Sequence, residues 1–173
     1  MEKNQANISK TKFTRMCISE AIIALMKETD FNKITISSVV KKAGIARMTF
    51  YLHYRSLYEA LTDYLKILVE EFTKESKTLG SIGEYSHILF ALQYYDRYRD
   101  YFLTLARHNL HSILFDGIND YMEEQFSENP KHSVYEMYCY AGGLLNAFLQ
   151  WELNDKKEPA EEVAQTLYNL YLS

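Results

Sequence analysis

Between Ile34 and Tyr54 the chain reads as two short helices pinned about one glycine, and no other stretch narrows the choice of fold as much. Thr35 or Ser37 can cap the first of them, its hydroxyl accepting from backbone N–H groups that a first helical turn leaves without partners. Val39, Val40 and Ala43 give that helix an apolar face, and Gly44 stands where helices commonly end in a left-handed residue. Ile45 then packs inward, and residues 46–54 form a second helix whose outer surface mixes one cation, hydroxyls, an imidazole and aromatic rings. The pattern is a helix-turn-helix, and such a surface can meet both phosphates and base edges.

Only two prolines and six glycines interrupt the 173 residues, and the apolar spacing is helical throughout, so the expectation is an all-α protein of about nine helices. Phe13, Met16, Cys17, Ala21, Ile22, Leu25 and Met26 recur at steps of three and four, which predicts a first helix over residues 10–28 with one buried face. A long helix carrying Leu57, Leu61, Tyr64, Leu65, Leu68 and Phe72 is expected to end near Gly80 and Gly83. Further helices are expected over residues 84–95, 99–109, 112–126, 133–153 and 159–172, with breaks at Asn129-Pro130 and at 154–157. Glu161 and Glu162 fall in the first turn of the last one, where the helix dipole favours negative charge.

Charge divides the chain in the same place. Residues 1–57 hold ten Lys/Arg against four acids, a net of +6, while the remainder nets −10, although the whole chain carries only −4. A basic module that faces a polyanion is joined to an acidic one that should avoid it. The organisation expected is therefore a three-helix helix-turn-helix DNA-binding domain over 1–56 and a second helical domain over 57–173, to which the family resemblance described next adds an effector-binding and dimerisation role.

Gly44-Ile45 and Thr49-Phe50-Tyr51-Leu52-His53-Tyr54 closely resemble the N-terminal domain of the TetR family of one-component transcriptional regulators. The resemblance covers roughly the first 75 residues. If the second helix enters the major groove, Ala46, Arg47, Met48 and Thr49 lie nearest to base edges. Among these, Arg47 alone can pair bidentately with guanine, worth about 1 to 3 kcal/mol of discrimination, while Met48 and Thr49 can touch a thymine methyl. The resemblance implies that Tyr51 and His53 contact the sugar-phosphate backbone, and that Thr35 and Ser37 do the same or reach bases. One departure stands out: where the family usually has a phosphate-contacting lysine, this chain has Leu57, with Arg55 two residues earlier as a substitute charge. Ser56 can still cap a helix whose N-terminus receives a phosphate.

The segment from Ala141 to Leu153, with Gly142-Gly143 and Trp151, is similar to a C-terminal domain of TetR-like regulators from low-GC Gram-positive bacteria. A homodimer on a two-fold axis is expected, reading double-stranded DNA at half-sites spaced by about 34 Å. Ala141, Leu144, Leu145 and Phe148 on one helix and Leu167 and Tyr171 on the last are its expected interface. Gly142 and Gly143 cost about 1 kcal/mol each in mid-helix, offset either by close approach of another backbone or by a kink. Tyr94, Tyr98, Phe102, Phe115, Tyr138 and Trp151, with His111, are the residues assigned to a small aromatic or amphipathic effector, although their helical spacing suits core or interface equally.

The chain has no Gly-x-Ser-x-Gly, no phosphate-cradling glycine loop and no His-Glu-x-x-His, so catalysis is not expected, and neither a cofactor nor a metal is. Cys17 and Cys139 are expected to be buried reduced thiols. With no apolar leader and no long apolar run, the expected address is cytoplasmic, without a membrane partner. The expected function is a DNA-binding regulator, by family default a repressor released by an effector. The alternative is a TetR-like coactivator or protein-interaction module that has lost or weakened DNA binding.

Overall fold

The computed structural model describes residues 2–128 and 133–172, with side chains from Lys10 to Glu124 and from Ser133 to Tyr171. Among the described residues there are nine α-helices, one 3-10 turn and no strand. They are α1 (Glu2–Met26), α2 (Ile36–Ala43), α3 (Arg47–His53), α4 (Leu57–Ser76), α5 (Tyr85–Arg97), α6 (Arg99–Arg107), α7 (His111–Glu128), α8 (Val134–Leu153) and α9 (Ala160–Leu172). The expected break at Asn129-Pro130 lies outside the described residues.

The chain divides into two compact units, one of residues 1–67 with 104–113, the other of 68–103 with 114–173. In the first, α1 packs on α2 and α2 on α3. Ile18, Ile22, Val39, Phe50 and Leu61 are fully enclosed, and each such side chain contributes about 1.5–3 kcal/mol by leaving water. Arg15 on α1 donates through Nε to Asp63 Oδ2 at 2.8 Å and pairs through Nη2 with Oδ1, while the buried Tyr54 hydroxyl donates to the same carboxylate at 2.5 Å. Three segments of the helical head thus meet at one acid. The bond to Asp63 raises the pKa of Arg15, and burial followed by the same acid raises that of Tyr54, so one stays charged and the other stays a donor. His108 belongs to this unit too. Its Nδ1 accepts from Phe31 N–H at 3.4 Å, so its proton sits on Nε2 and donates to Met26 O at 2.7 Å, closing the C-terminal end of α1.

In the second unit α5 packs on α9 and α8. Phe72 anchors an aromatic cluster with His87, Phe90, Tyr94 and Tyr121, its ring centroid 5.3–5.6 Å from each. Glu152 is wholly enclosed yet ionically matched, with Arg99 Nη2 at 2.8 Å and Lys156 Nζ at 3.0 Å. Trp151 donates to Glu158 O at 2.8 Å, and Lys156 lies 5.2 Å over its ring, which fastens the turn between α8 and α9.

Several helix ends differ from the sequence reading. α1 starts at Glu2 rather than near residue 10, because helix continues through a polar segment that has no apolar period to announce it. α4 ends at Ser76, and Gly80 and Gly83, both at positive φ, belong to the loop that follows. Cys17 is half-buried and Cys139 exposed, so the expectation of two buried thiols is corrected: Cys139 falls on the outer side of α8. The mid-helix Gly143 has a local cause, since a Cβ there would stand 2.7 Å from the hydroxyl of Tyr171, which donates to Tyr140 O at 3.3 Å. That close approach comes from within the same chain. Nothing comparable meets Gly142, where the nearest atom, on Phe115, is at an ordinary 3.8 Å.

Candidate nucleic-acid interface

Capping sets the frame of the α2–α3 pair. Thr35, in extended conformation, accepts from Ser38 N–H at 3.1 Å, and the Ser38 hydroxyl accepts from Thr35 N–H at 3.2 Å. Of the two hydroxyls considered for this cap, Thr35 fills it, and Ser37 points outward within the helix. At the other end Gly44 takes φ 68°, ψ 31°, and its N–H closes on the last turn of α2. A side chain at this angle is strained by about 1–2 kcal/mol, which is why glycine stands there. Ala46 then starts α3 in extended conformation, with no side-chain cap.

The inner side of α3 is held by Phe50, whose ring meets those of Tyr51 and Tyr54 edge-on at 5.8 and 5.9 Å. Its outer side carries Ala46, Arg47, Met48, Tyr51 and Leu52, all exposed, with Thr49 and His53 half-covered. Met48 is 71% and Leu52 75% exposed, so neither contributes to the core that braces the helix. Leu52 was not among the residues expected here; nothing but its helical position distinguishes it in the sequence. Arg47 Nη2 donates to the Tyr51 hydroxyl at 3.2 Å, with the guanidinium 5.6 Å over the ring. Arg47 thus begins from an ordered position.

At the start of α4, Ser56 Oγ accepts from Glu59 N–H at 3.1 Å and Glu59 Oε2 accepts from Arg55 N–H at 2.7 Å. The second of these bonds reaches one residue before the cap and puts a carboxylate beside the Arg55 backbone, while Leu57 is half-covered. Sequence alone left Glu59 without a role; its place three residues after Ser56 is the signal that reveals it. Thr35, Ser37, Arg47, Met48, Tyr51 and Arg55 are therefore all exposed on one small helical unit, and no group of three metal-ligating side chains occurs among the described residues.

The seven residues assigned to an effector are scattered. Tyr94, Phe102 and Trp151 are core, Phe115 is exposed, and His111 is half-buried in the first unit. The Tyr94 hydroxyl donates to Leu68 O at 2.8 Å, that of Tyr98 to Glu71 at 3.2 Å and that of Tyr138 to Glu123 at 2.6 Å. None of the seven lines the cavity of about 540 Å³ in the second unit, which Glu84, Glu136, Tyr140, Tyr168 and Tyr171 help to form. Ala141, Leu144, Leu145, Phe148 and Leu167, expected at a dimer interface, are enclosed by their own chain.

No protein-family model matches the chain. An uncharacterized HTH-type transcriptional regulator of Bacillus subtilis, YxbF, is 30% identical over 57 residues, a match covering 33% of this chain and 15% of that protein's length. Among solved structures, Lin0861 from Listeria innocua superposes with a TM-score of 0.81 at 14% identity, covering 95% of this chain and 93% of its own. A TetR transcriptional regulator from Streptococcus agalactiae does so with a TM-score of 0.65 at 17% identity, over 96% of this chain and 98% of its own. The fold is that of the TetR regulators. In this TetR fold α2 and α3 are the helix-turn-helix pair, and among the described residues no helix is long and apolar enough to cross a membrane.

Proposed function

We propose that this chain is a TetR-family transcriptional regulator that binds a pseudo-palindromic operator as a homodimer, acts as a repressor and is released by a small molecule. The observation that carries the reading is the outer side of α3, where Arg47, Met48 and Tyr51 stand exposed on a helix fixed by Phe50, Gly44 and the Thr35 cap. In this reading Arg47, Met48, Thr49 and Ala46 meet base edges, and Tyr51, His53, Thr35, Ser37 and Arg55 meet phosphates. A basic first third and the TetR fold support it. Because the apolar residues first assigned to a dimer are enclosed, the surface proposed for the second copy is the exposed side of α8, from Tyr135 through Cys139 to Leu153, with Leu170 of α9.

One observation favours a second reading, a protein-binding module with weak DNA affinity: Leu57 replaces the usual lysine, and Glu59 sets a negative charge beside the α4 N-terminus. Selection from a random duplex library, followed by titration of the best duplex at two salt concentrations, separates the two. An inverted repeat bound with steeply salt-dependent affinity supports the regulator. No enrichment, with only weak low-salt binding, refutes it.

A further inference from the structure

Arg47 and Tyr51 stand one helical turn apart on the outer side of α3, and a long side chain in a helix leans back over the turn before it. The lean brings the two together: Arg47 Nη2 donates to the Tyr51 hydroxyl at 3.2 Å, and the guanidinium carbon lies 5.6 Å from the ring centroid. The ring is itself placed from beneath, because the fully enclosed Phe50 meets it edge-on at 5.8 Å, with the two planes at 90°. Position therefore passes outward in two steps, from the core to Tyr51 and from Tyr51 to the cation.

What holds Arg47 does not use it up. A guanidinium carries five N–H donors, of which Tyr51 takes one, and a bidentate pair with guanine O6 and N7 needs two more. The holder is also uncharged, so hydroxyl and ring fix the group without offsetting its charge, as a carboxylate partner would. Tyr51 spends only a lone pair in this bond. Its own hydrogen remains for a phosphate oxygen, so one hydroxyl can join a backbone contact to a base contact. A loose arginine would surrender its rotamer freedom on meeting the base, a loss that ordering it beforehand removes.

We infer that Tyr51 is the positioning residue for Arg47: it sets the guanidinium for guanine while donating to phosphate, and so governs base discrimination as well as affinity. This rests on the operator-binding reading above and goes beyond it, since a residue that touches only phosphate weakens every sequence alike. Tyr51→Phe removes the acceptor and keeps the ring of a side chain that is 47% exposed, so the unfolding midpoint should hold. The test titrates the full chain, Tyr51→Phe, Arg47→Ala and the double variant against the selected duplex. Each is titrated also against a duplex in which the guanine that Arg47→Ala ceases to prefer is replaced by adenine. The ratio of the two affinities cancels any phosphate contact common to both. Tyr51→Phe should lower that ratio about two- to fivefold, and should leave it unchanged where Arg47 is already alanine. A second measurement needs no DNA: NMR relaxation of Arg47 Nε should show an ordered side chain in the parent and a more mobile one in Tyr51→Phe. An Arg47→Ala chain that relaxes no guanine, a ratio unaltered by Tyr51→Phe, an equal fall in the Arg47→Ala background, or an Arg47 Nε equally mobile in parent and variant overturns the inference and leaves the regulator reading standing. A library that yields no operator refutes the regulator reading, and this one with it.

Discussion

Removing the Asp63 carboxylate tests how the head is held together. Asp63→Ala deletes the acceptor for Arg15 and for Tyr54 at once. The Arg15 and Asp63 side chains are 31% and 21% exposed, so water can return to the guanidinium, and the lost ion pair is worth only about 1 kcal/mol. The Tyr54 hydroxyl fares worse, because its residue is 4% exposed and the donor is left without a partner, at about 1–2 kcal/mol. The sum is about 2–3 kcal/mol, a fall in melting temperature of roughly 4–12 °C for a chain of this length. Urea denaturation followed by circular dichroism measures it, with Tyr54→Phe and Asp63→Asn as controls. Tyr54→Phe removes one bond and should cost less than Asp63→Ala, and Asp63→Asn, which keeps an acceptor, should also lie between parent and alanine. A loss for Asp63→Ala below about 0.5 kcal/mol, or a larger one for Tyr54→Phe, would refute the reasoning.

Gly44→Ala should cost about 1–2 kcal/mol through its left-handed backbone angle alone, since no atom lies within 4 Å of the added methyl; a neutral thermal melt would contradict that. His87 is nine-tenths and more enclosed and is neutral in the folded chain, so it binds its proton more weakly folded than unfolded. Its contribution is complete above about pH 6.5 and declines as pH falls toward 4, by up to about 3 kcal/mol, and a His87→Leu chain should show a correspondingly shallower acid loss in urea titrations at pH 7 and 4.5. Arg47→Ala should relax discrimination at one guanine by about 1–3 kcal/mol in a competition assay with substituted duplexes, while unaltered base preferences would exclude Arg47 as the reader.

The helix-turn-helix was legible because its signals are local: Gly44 at the turn, Thr35 three residues before Ser38, and Phe50 at the inward position of α3. What joins it to the rest was not. Arg15 and Asp63 stand 48 residues apart and His108 lies 82 from Met26, and no periodicity pairs residues across such distances. Tyrosines illustrate the same limit. Their frequency suggested a ligand, but Tyr94 directs its hydroxyl to a buried carbonyl, whereas the rings at the cavity, Tyr140, Tyr168 and Tyr171, are distinguished only by the tertiary placement of α8 and α9 beside the loop before α5. Helical spacing identifies an inward side; it does not tell a filled interior from a hollow one. Cys139 shows the same ambiguity, since an apolar neighbourhood in sequence did not put it inside.

The placement of His108 bears on how such a protein can be cut and recombined. Residues 104–113 group with residues 1–67, so the first unit is discontinuous along the chain and its backbone crosses to the second unit three times. A fragment ending at Ile67 would lack the imidazole that closes the end of α1, leaving the Met26 carbonyl and the Phe31 amide to the solvent. Grafting this first unit onto a foreign domain therefore calls for a chimera that carries a helical insert from the donor's middle as well as its beginning, and a simple end-to-end splice would transplant an unfinished module.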